Sequence, residues 1–135
     1  MAKYNRKSKQ LDDRSPNREL FIVFSFRDFD RNQGQNFAEW QEDELLAALC
    51  EKLLGISHLT VGQVTSQQII KLYTKVDFPP DSGFKYPKHV PDGVKWASMH
   101  IQGKECIIGH FEDNIFHIVF LDKNHEFWIS KKKNT

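Results

Sequence analysis

The spacing of apolar residues changes abruptly along this chain, and each change marks an element. Residues 19–26 (ELFIVFSF) form a nearly unbroken apolar run of the kind buried on both faces, which predicts a central strand. A polar stretch with one glycine, residues 27–35, follows as a loop. The period then lengthens: Trp40, Leu45, Leu46, Leu49, Leu53 and Leu54 share one helical face, and Glu42, Asp43, Glu44 and Glu51 share the other. Asn36, with Glu39 three residues on, has the form of a capping box, acidic residues fill the first turns and Gly55 supplies a stop. One helix is therefore predicted from the Asn36 cap to Gly55. A second helical segment is predicted over residues 61–73, interrupted at Gly62, with Ile69, Ile70, Leu72 and Tyr73 as its apolar set.

Residues 78–91 (FPPDSGFKYPKHVP) contain four prolines and predict an extended loop or surface strap. Beyond them, residues 94–129 read as three β-prone runs separated by turns at Gln102-Gly103 and Asp113-Asn114. The last run, residues 115–121, is apolar on both faces and belongs inside a sheet. The order β-α-α-β-β-β predicts an α+β fold, an antiparallel sheet with helices packed on one face.

Composition fits one domain: 135 residues, 39% hydrophobic and 13% aromatic. No run approaches a membrane span and the N-terminus lacks the apolar core of a signal peptide, so a cytoplasmic protein is expected. Cys50 and Cys106 fit reduced core residues of such a protein. Charge is uneven. Residues 1–18 hold six basic against two acidic groups, and residues 131–135 hold three lysines. The 112 residues between them carry ten Lys/Arg against sixteen Asp/Glu. A single domain over residues 19–130 is thus expected between a flexible basic arm (1–18) and a basic tail (131–135), which either seek phosphates or keep the protein soluble.

Candidate chemistry gathers on the three final runs. With two-residue turns at the positions above, His100, Glu105 and Asp122 form one lateral row, Lys104 and Lys123 belong to the next row on the opposite face, and His110 pairs with His117. His110 and His117 with Glu112 could offer metal ligands, but no paired-cysteine or one-turn histidine spacing accompanies them, and no metal or cofactor is expected. A metal-free acid–base site would use His125 or His100, poised near neutral pH, with Lys104 or Lys123 neutralising a phosphate. The plain alternative is a sheet end where polar groups gather because it is wet. Trp128, after the last run and beside Lys131, Lys132 and Lys133, suits stacking on a base, whereas Trp40 and Trp96 suit the core.

The element order, the small size and the closing segment LDKNHEFW (residues 121–128) resemble the RelE/ParE-like superfamily of bacterial toxins. Ribonucleases of that superfamily cut mRNA without a metal, through basic or histidine residues on the last strands and a terminal aromatic that stacks on a base. The resemblance implies His125 as acid or base, Lys123 as phosphate contact, and Phe127 or Trp128 as stacking group. It also implies RNA, including ribosome-bound mRNA, and a cognate antitoxin or defence-system protein as partners. The chain is similar as well to short bacterial proteins of mobile elements and defence loci. Two functions follow: an endoribonuclease toxin of a toxin–antitoxin or phage-defence system, or a non-catalytic immunity, antitoxin-like or inhibitor module, which the acidic body favours.

Overall fold

The computed structural model describes residues 18–74 and 78–129. The basic tail and the arm, apart from Arg18, lie outside them. The elements are β1 (Val23–Ser25), α1 (Phe37–Glu42), α2 (Leu45–Ile56), α3 (Val61–Ser66), β2 (Lys71–Leu72), β3 (Lys95–Gln102), β4 (Glu105–Glu112) and β5 (Ile115–Asp122). They build a five-stranded sheet in the order β1-β5-β4-β3-β2, and the class is α+β. β5 lies inside the sheet, as its two apolar faces require. The expected all-antiparallel sheet is corrected in one place: β1 pairs with β5 in parallel. β1 is also an edge strand rather than a central one, with Phe21 and Val23 exposed.

Asn36 forms the capping box with Glu39. The single predicted helix is two, however, because Glu44 takes a left-handed conformation (φ 62°) that separates α1 from α2. The break gathers Glu42, Asp43 and Glu44 before the N-terminus of α2, where the helix dipole favours negative charge. The second predicted helix is shorter than expected. Thr60 and Gln63 form a capping box that starts α3, Gln68 (φ 60°) follows its end, and the chain continues as β2 against β3.

In the meander, Glu112 pairs with Ile115 and His110 with His117 across Asp113-Asn114, as predicted. The other hairpin differs. Gln102 pairs with Glu105, so the turn is Gly103-Lys104, with glycine supplying a φ of +53°. Bulges between His100 and Gln102 and between Ile108 and Gly109 then shift both ladders.

The helices cover one face of the sheet. Trp40, Leu45, Leu49, Val64 and Ile70 pack there against Met99, Ile107, Phe116, Ile118 and Leu121. The proline-rich segment covers the other face, burying Phe84 and Val90 against Trp96, Ile108, Phe120 and Phe127. Trp96 stacks on Phe120 (6.0 Å, 7°) and meets Phe78 edge-on at 5.2 Å. The strap is therefore a packed third layer, which the sequence showed only as irregular. No helix among the described residues is long and apolar enough to cross a membrane.

Candidate functional site

The bulge on β3 sets which of the predicted groups can meet. His100 pairs with Cys106 and Cys106 with Asp122, while Glu105 pairs with Gln102. The expected row His100–Glu105–Asp122 is thus corrected: Cys106 takes the place of Glu105, which is half-buried beside the turn. Asp122 is only 1% exposed. Its carboxylate accepts the backbone N–H groups of Glu126 and Phe127, both at 2.8 Å, and so closes the turn after β5. Burial, then the charge of Asp122, pushes the Cys106 thiol up to about 12.

Lys123 is also spoken for. Its ammonium forms an ion pair with Asp43, which raises its pKa, and its backbone N–H donates to Gln35 Oε1 at 2.6 Å. The same oxygen accepts from Trp40 Nε1 at 2.9 Å. Lys123 thus ties the end of β5 to the α1–α2 junction, on the helix side. Lys104 stands exposed at the turn tip, with no ion pair among the described residues.

His100 and His125 do come together, with ring centroids 5.4 Å apart. His100 is exposed on β3, on the sheet face that carries Trp96 and Ser98. His125 sits in the turn that Asp122 closes, with a φ of 59°, a conformation histidine accepts more readily than most residues. Its Nδ1 lies 3.1 Å from the Trp128 carbonyl oxygen. A carbonyl can only accept, so Nδ1 carries the hydrogen and Nε2 is left for other partners. Partial burial, followed by the proximity of His125, Lys71 and Lys52, holds the His100 imidazole below its usual pKa.

Trp128 extends this surface. It is 39% exposed and stacks on Tyr73 (5.4 Å, 12°), whose hydroxyl donates to Ser98 Oγ at 3.0 Å. Phe127 is fully buried among Phe78, Trp96 and Tyr73, so a base cannot reach it. Of the two aromatics expected to stack, only Trp128 is available. Lys131, Lys132 and Lys133 lie outside the described residues.

A second cluster surrounds His110 and His117, whose rings are 5.0 Å apart. His110 Nε2 donates to Asp28 Oδ2 (2.9 Å) and His117 Nε2 to Glu112 Oε1 (2.8 Å). Arg27 bridges both carboxylates, at 3.0 Å from Asp28 and 3.2 Å from Glu112. Its guanidinium, with help from His110, lowers Asp28 to about 2, while burial lowers the pKa of His110. The sequence reading paired the histidines with Glu112 but missed Arg27 and Asp28, whose partners lie far along the chain. The alternating charges of RDFD were the only local hint. Both imidazoles are 2% exposed, and the network of Arg27, Asp28, His110, His117 and Glu112 ties the segment after β1 to β4 and β5. Cys50, expected in the core, is exposed on α2. Among the described residues no group of three or more His, Cys, Asp and Glu side chains converges as metal ligands.

No protein-family model matches the chain, and no curated protein or solved structure is significantly similar to it.

Proposed function

We propose that the chain is an endoribonuclease that works by acid–base catalysis without a metal, in the manner of the toxins its closing segment resembles. One observation carries the reading: His100 and His125, remote in sequence, stand 5.4 Å apart beside a half-exposed tryptophan. Lys71 and Lys52 add positive charge around His100. RNA laid across this surface would stack a base on Trp128 and set one phosphodiester against both imidazoles. His100, held neutral, suits the base that takes the 2′-hydroxyl proton. The oxygen attacks phosphorus, the bond to the leaving 5′-oxygen breaks, and His125, as the imidazolium held through Nδ1 by the Trp128 carbonyl, gives that oxygen its Nε2 proton. The products are a 2′,3′-cyclic phosphate and a 5′-hydroxyl. A toxin or phage-defence setting, with a cognate protein inhibitor, belongs to the same proposal.

The test is cleavage of RNA by the full-length protein, with end-group analysis of the products and growth followed on induced expression. His100→Gln and His125→Asn should each slow cleavage by about a hundredfold or more while the protein stays folded. Asparagine tolerates the left-handed backbone at position 125. Wild-type protein that neither cleaves RNA nor slows growth would leave the second reading, a non-catalytic interaction module. One observation favours that module: Phe21 (61% exposed), Val23 (47%) and Phe26 (48%) are uncovered on and beside the edge strand β1.

A further inference from the structure

A cleft opens between the segment after β1 and helix α2, away from the histidine surface. Its volume is about 610 Å³, within the range of small-molecule sites. Phe26, Phe29 and Phe37 supply one wall as a packed trio. Phe29 and Phe37 stack at 4.7 Å, and Phe26 meets both edge-on at 6.1 and 5.5 Å. Leu46, Leu49 and Leu53 of α2 supply the other wall.

Two arginines line this apolar space, and they differ in one respect. Arg27 is neutralised by Asp28 and Glu112. Arg31 makes no ion pair among the described residues, and its guanidinium lies 6.0 Å from the centre of the Phe37 ring. An uncommitted cation beside aromatic and leucine side chains selects a ligand with an apolar body and one negative charge. Arg31 is exposed and solvated, so a neutral ligand gains nothing from it, an anion gains a charge-assisted hydrogen bond, and a cation is repelled.

We propose that this cleft is a binding site for a small organic anion, an aromatic or alkyl carboxylate or sulfonate. Its body lies between Phe29, Phe37 and Leu53, and its charge meets Arg31. The site is independent of the RNA reading and shares no residue with the histidine surface.

Cys50 lines the same cleft and is exposed, so its thiol reports occupancy. The only other cysteine, Cys106, is buried and stays silent. The experiment uses the full chain with anilinonaphthalene sulfonate as the anionic probe and phenylnaphthylamine as its neutral counterpart. The anion should bind saturably and slow the reaction of Cys50 with a maleimide, and dodecanoate should displace it better than dodecanol. Arg31→Gln should weaken anion binding by about tenfold, the order set by one charge-assisted hydrogen bond, and leave the neutral probe unaffected. Cys50→Trp, which fills the cleft from an exposed position, should abolish binding of both. Equal affinity for the two probes in wild type and Arg31→Gln, or an unchanged maleimide rate with the anion bound, would overturn the proposal.

Discussion

A methyl group on Gly109 would lie 2.1 Å from the carbonyl oxygen of His117. The contact is with backbone at a bulge, so nothing can rotate away. Gly109→Ala should therefore cost about 3 kcal/mol or more in a denaturation experiment, the upper part of the range for overpacking. Asp122 decides a different matter. Its two accepted backbone hydrogen bonds hold the turn that carries His125, so Asp122→Ala should lower stability by about 1–3 kcal/mol and, with it, the RNA cleavage we propose. Loss of cleavage in a variant with an unchanged melting temperature would instead place Asp122 in the chemistry. At this scale the sequence was legible where partners are near neighbours. The Asn36–Glu39 box could be read directly, whereas the Asp28–His110 bond joins groups on different elements and leaves no local trace.

Strand parity shows why register was the harder inference. The predicted turn lay one residue from the true one, and the bulge at Ile101 reversed half of that displacement in the ladder. The net slip of one position was enough to exchange Glu105 for Cys106 opposite His100. Bulges arise from tertiary packing, and alternation along one strand does not show them. The helix break at Glu44 left no trace in the apolar period, which runs through it from Trp40 to Leu45 and Leu49, and α2 starts there without a side-chain cap. The strap makes a stability claim of its own. Phe84 is 6% exposed and tilts against Phe120 at 4.4 Å, so Phe84→Ala should cost about 3–5 kcal/mol. Leu54, assigned to the apolar helix face but 70% exposed, should tolerate alanine within about 0.5 kcal/mol. Urea titration of the two variants checks both values.

Across the whole molecule, acid should act in two stages. The native fold holds His110 below its ordinary pKa of 6.5, so the unfolded chain binds the proton more readily and stability falls as pH drops below that value. Asp28 is lowered from 3.8 to about 2, so its contribution is intact above the higher value and disappears as pH falls towards the lower one. Melting temperatures measured from pH 7 downwards should show both declines, and Asp28→Asn should remove the second. A stability that stays flat below pH 6 would contradict the assignment for His110.

The parallel pairing of β1 with β5 has a consequence for synthesis as well as for architecture. Residues 23–25 are synthesised long before their partners, residues 115–117. Until then the nascent chain carries Ile22 and Phe24 without the strand that covers them, and closing so long a loop delays productive folding. Nascent chains arrested before residue 115 should therefore be digested by protease as readily as unfolded protein. A chaperone that shelters the early apolar run would then raise the yield of native protein without altering its final stability.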